Sequence, residues 1–174
     1  MATDKTFATF QEVTKECLLY TETLDCRFHN CLFERYPCGD DRRKAEAYAQ
    51  CEKSRARANN LTESGKNWYY SITRCFVKKL INLYKRSSIV CPFIGIILMK
   101  TQKKCYIQNN FCTMGWTHRE DLWYIFSEPL ETAKSPHYRG MWKNIAKMAR
   151  GCKTQEGEKF ARWINTKLKT LKCF

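Results

Sequence analysis

The chain has 174 residues, 31 Lys or Arg against 17 Asp or Glu for a net charge of +14, and 44% apolar residues with only 7 Gly and 4 Pro. These proportions describe a globular chain and exclude a disordered, collagen-like or linker-dominated one. The longest apolar run, the 11 residues from Ile89 to Met99, is too short to cross a bilayer and reads as a core segment.

Helical spacing dominates, and residues 1–174 are predicted to form a single domain. Phe10, Val13, Cys17 and Tyr20 recur at three- and four-residue steps on one face of a first helix. Asp40 or Asp41 caps a second, running through Ala45, Ala49 and Cys51 to about Arg57. Thr62 caps a third that reaches Arg86, with Trp68, Ile72, Cys75, Phe76, Leu80 and Leu83 as its apolar stripe and Arg74, Lys78, Asn82 and Lys85 opposite. Ser88 or Cys91, ahead of Pro92, opens a fourth that ends near Asn110. Thr117 and Glu120 have capping-box spacing before Leu122, Trp123, Ile125 and Phe126. Ser135 with Pro136 starts the next helix, which Gly151 stops, and Thr154 caps the last, turning Phe160, Trp163, Ile164, Leu168 and Leu171 inward. No segment alternates with period two between Gly-rich turns, so the expected fold class is all-α, a disulfide-rich bundle of about six to eight helices.

Eleven cysteines point to an oxidising compartment, because this many thiols in a reducing one would call for metal. No CxxC pair occurs, and His29, His118 and His137 do not form a ligand set with cysteines, so no metal or other cofactor is expected. Met1 to Tyr20 has no basic stretch followed by an apolar core, so the secreted reading takes the chain as a mature extracellular domain behind an added Met. An odd count leaves at least one thiol without an internal partner, and spacing alone leaves the pairing of the rest open.

The order and spacing of the cysteines resemble those of the stanniocalcins, secreted glycoprotein hormones with eleven cysteines, most closely between Cys51 and Cys112. The segments "LTESGKNWYYSITRCF", "CPFIGIILMKTQKKCYIQNNFC" and "SPHYRGMWKNIAKMARGC" carry the same resemblance. It implies bridges joining Cys17 with Cys31, Cys26 with Cys51, Cys38 with Cys91, Cys75 with Cys105 and Cys112 with Cys152. It also implies an interchain bond through Cys173 in a homodimer. By the same resemblance the chain is a hormone in extracellular calcium and phosphate homeostasis, or an inhibitor of a metalloprotease, acting on an extracellular receptor or protease. Asn60-Leu61-Thr62 is the one N-x-[ST] sequon, so Asn60 is the candidate glycosylation site. It lies after the fifth cysteine, where the family's sequon commonly comes earlier.

Between Ser64 and Arg119 there are ten Lys or Arg and no Asp or Glu. Lys78, Lys79, Lys85, Arg86, Lys103 and Lys104 are the candidate contacts for a polyanion, whether a glycosaminoglycan, acidic headgroups or an acidic protein. Nucleic acid is not expected, since the aromatics fall on the apolar stripes and no nucleic-acid-binding signature is present. Catalysis is not expected either: Cys/His chemistry needs a free thiolate, and no P-loop, GxSxG or HExxH pattern occurs. A secreted basic effector or toxin, or a helical carrier for lipid or haem, are the alternatives on the same composition.

Overall fold

A computed structural model of the chain describes residues 5–7, 13–38, 41–129 and 133–171. Among the described residues the architecture is all-α and disulfide-rich, with nine α-helices and one short two-stranded ribbon. The chain divides into two compact units, Met1–Asn60 with Tyr69–Cys105, and Leu61–Trp68 with Tyr106–Phe174.

The first unit begins with strand β1, Lys5–Phe7, paired antiparallel with β2, Ser88–Val90, in the register Lys5 to Val90 and Phe7 to Ser88. Helix α1, Lys15–Glu22, is capped by Thr14, whose hydroxyl accepts from the Cys17 N–H at 3.1 Å. Phe10, expected on the same helix, lies outside the described residues. Helix α2, Arg27–Arg35, is not among the helices the sequence pattern predicts; it buries Phe28, Cys31 and Leu32. Helix α3 is Asp41–Ala58; the candidate cap Asp40 lies outside the described residues. Helix α4, Glu63–Tyr84, places all but its first six residues in this unit. Tyr36, fully buried, donates its hydroxyl proton to the end of α4, with the carbonyl oxygens of Leu83 and Arg86 at 2.6 and 2.8 Å. Its one proton is shared between carbonyls at a helix C-terminus, where the helical ladder has run out of donors. The apolar run expected to open a helix instead forms β2, then a 3₁₀ turn at Cys91–Phe93 containing Pro92, and only then α5, Ile94–Gln108. Proline lacks the N–H that a ladder or a helix interior needs, and this delays the start. The core gathers Phe28, Leu32, Tyr36, Val77, Leu80, Leu83, Tyr84, Ile89 and Ile94, with Phe28 edge-on to Tyr84 at 5.6 Å.

The second unit contains α6, Phe111–Thr117, α7, Arg119–Ile125, α8, Pro136–Gly151, and α9, Gln155–Thr170. Ser135 and Thr154 cap α8 and α9 as their sequence positions predict, accepting from Tyr138 N–H at 3.2 Å and Gly157 N–H at 3.1 Å. Thr117 does not cap: it ends α6, and its hydroxyl donates to the Thr113 carbonyl at 3.1 Å. Thr117 is still within α6, and the position before the next helix, where a cap must stand, is His118. Trp142, Phe160, Ile164 and Ala161 are fully buried here. Gly157 lets α9 approach α8, because a Cβ at that position would collide with the Ala149 carbonyl oxygen.

Five disulfides are present: Cys17–Cys31, Cys26–Cys51, Cys38–Cys91, Cys75–Cys105 and Cys112–Cys152. They are the five pairs the family resemblance implies. The first four lie in the first unit, each loop overlapping the next, and the fifth stands alone in the second.

Candidate functional site

The net charge of +14 divides into +6 on the second unit and +8 on the first. The Tyr69–Cys105 segment of the first unit carries eight cations, Arg74, Lys78, Lys79, Lys85, Arg86, Lys100, Lys103 and Lys104, and no carboxylate. Lys78, Lys85, Arg86, Lys103 and Lys104 are exposed and Lys79 is half-buried. They sit on α4, just past its end, and on α5, because the apolar stripes that pack inward force the charges outward. The Cys75–Cys105 bond, with its Cα atoms 5.6 Å apart, joins the middle of α4 to the later part of α5.

Among the described residues, none of these cations pairs with a carboxylate. The ion pairs that do form lie elsewhere: Arg27 with Asp25 at 2.7 Å, Lys44 with Glu34 at 2.6 Å, Arg55 with Glu52 at 2.8 Å and Lys167 with Glu120 at 3.3 Å. Arg27 holds the Asp25 carboxyl below its ordinary range by a direct hydrogen bond. Among the described residues, the cations of α4 and α5 therefore stand without a carboxylate partner, the electrostatic requirement for holding a polyanion.

A second cluster, which the sequence does not announce, lies in the second unit. His118 is buried, stacked on Trp68 at 5.7 Å, with Nδ1 3.0 Å from Asp121 Oδ2 and Nε2 3.2 Å from Ser64 Oγ. Gly65 makes room for it, since a Cβ there would lie 2.7 Å from Asp121 Oδ2. Thr62 caps α4 just before, accepting from the Gly65 N–H at 3.2 Å. The network thus fixes the start of α4 against the α6–α7 junction and satisfies both nitrogens of a buried ring.

The remaining candidates separate. Asn60 is exposed in the turn between α3 and α4, while Leu61 of the same sequon is buried. His29 is half-buried on α2, and desolvation lowers its pKa. His137 is in the first turn of α8, as expected, its side chain outside the described residues. Cys173 also lies outside the described residues. Among the described residues, no three His, Cys, Asp or Glu are grouped to hold a metal ion, and no helix is long and apolar enough to cross a membrane. Compared with protein-family models, curated proteins and solved structures, the chain matches none.

Proposed function

We propose that the chain is a secreted protein of the stanniocalcin type that acts by binding and not by catalysis, as a covalent homodimer joined through Cys173. Its role on this reading is that of an extracellular hormone in calcium and phosphate homeostasis, or of a metalloprotease inhibitor. The observation that carries the proposal is the disulfide pattern. Ten cysteines admit about 900 pairings, and the five bonds present are those implied by the family resemblance. With ten thiols oxidised, Cys173 is the eleventh and is the one available for a second chain. A bond there converts weak association into permanent pairing by effective concentration. Ser64, His118 and Asp121 serve packing in this reading, and the cations of α4 and α5, which have no carboxylate partner among the described residues, support a polyanionic partner alongside the protein one.

The test is the mass of the purified protein with and without reductant, beside a Cys173→Ser variant. The expected result is a non-reduced species near twice 20.7 kDa that becomes monomeric on reduction or on substitution. A non-reduced monomer with one titratable thiol overturns the covalent dimer.

A further inference from the structure

Helix α5 is apolar on more sides than it buries. Ile94 and Cys105 are buried, and Ile97 and Leu98 pack half-buried on the core of the first unit. Ile96 and Met99 nevertheless face outward at 47% and 58% exposure, and Phe93, in the turn just before the helix, at 48%. Lys100, Lys103 and Lys104 are exposed as well. At 3.6 residues per turn, Ile96, Met99 and these three lysines fall within an arc of about 140°. Ile96 and Met99 come first, the lysines are centred about 7 Å further along the axis, and Ile107, 58% exposed on the same arc, follows them. Exposed large apolar side chains beside cations that have no carboxylate partner among the described residues make this face a candidate interaction site.

Three classes of occupant can be compared. A second copy would set one basic face against another, which like-charge repulsion opposes. Three apolar side chains fall far short of the roughly 800 Å² that each partner of a stable protein complex buries. A sulfated polysaccharide would satisfy the lysines but leave Phe93, Ile96 and Met99 in water. An anionic bilayer surface meets both demands, because phosphate-bearing headgroups receive the lysines while the side chains ahead of them enter the acyl boundary. We propose that the outer face of α5, formed by Phe93, Ile96, Met99, Lys100, Lys103 and Lys104, docks the protein peripherally on anionic membranes. The inference rests on the polyanion reading of the α4 and α5 cations and makes its partner a lipid surface. It does not depend on the Cys173 dimer.

The experiment sediments the full chain with vesicles of phosphatidylcholine alone and with one-third phosphatidylserine, and measures retention on heparin in parallel. Binding to the anionic vesicles is expected to exceed binding to the neutral ones by about tenfold or more. The Ile96→Gln/Met99→Gln variant should lose about tenfold on anionic vesicles while eluting from heparin at the same salt concentration. Lys100→Gln/Lys103→Gln/Lys104→Gln should lose binding to both. Single Ile96→Gln and Met99→Gln variants replace the pair if circular dichroism shows that it perturbs folding. Equal binding to both vesicle types, binding to neither, or anionic-vesicle binding untouched by Ile96→Gln/Met99→Gln overturns membrane docking. The last of these, with heparin binding retained, assigns the face to a soluble polyanion, whereas loss of heparin binding by the unmodified protein would remove the polyanion reading itself.

Discussion

At single positions, the same substitution is expected to act with opposite sign according to what surrounds the glycine. Gly140, inside α8, has nothing within 4 Å of where a Cβ would stand, whereas at Gly157 the Ala149 carbonyl oxygen blocks it. Gly140→Ala should therefore stabilise by up to about 1 kcal/mol through helix propensity, and Gly157→Ala should destabilise by about 1–3 kcal/mol through overpacking. Urea midpoints of the two variants check the pair, and equal shifts would contradict the close approach of α8 and α9. Lys153 presents the converse case. It adopts φ 54° after the end of α8, the left-handed region favoured by glycine. Lys153→Gly should raise stability by about 0.5–1 kcal/mol, visible as a higher urea midpoint; a lower midpoint would mean that the lysine side chain contributes more than its backbone costs.

At the scale of elements, the charge carried by α4 can be tested separately from that of α5. Changing Lys78, Lys79, Lys85 and Arg86 together to Glu reverses four cations that have no described carboxylate partner. The expected outcome is elution from a heparin column at clearly lower salt, and unchanged elution would show that the α4 cations do not contribute to polyanion binding. What the sequence makes visible at this scale follows from how local each signal is. Helices α4, α8 and α9 combine long apolar stripes with the caps Thr62, Ser135 and Thr154, all of which cap as expected. Helix α2 is short, and its burial depends on Leu80 and Tyr84 supplied by α4. The three-residue β1–β2 ribbon is likewise too brief to show alternation. For the candidate site, the basic excess is legible from counting residues. The outward row on α5 is not, because a segment apolar on every side does not reveal which side the core takes. The Ser64–His118 contact spans 54 positions and leaves no local trace.

For the whole molecule, stability rests heavily on covalent closure. In the loop-entropy account, Cys38–Cys91, closing 53 residues, contributes about 4 kcal/mol, and Cys17–Cys31, closing 14, about 3 kcal/mol. Replacing each pair with Ala and comparing guanidinium unfolding should give the larger loss for Cys38 and Cys91. A reversed order would place local packing around Cys17 and Cys31 above loop closure. The overlap of the first four loops also governs how the chain responds to proteolysis. Every peptide bond from Cys17 to Cys105 is spanned by at least one of them, and every bond from Cys112 to Cys152 by the fifth. One cut in either stretch leaves the fragments joined until a reductant is added. Only the segment between Cys105 and Cys112 lies between the two locked stretches with no internal bridge across it, so a single nick there divides the monomer into two separately stapled halves.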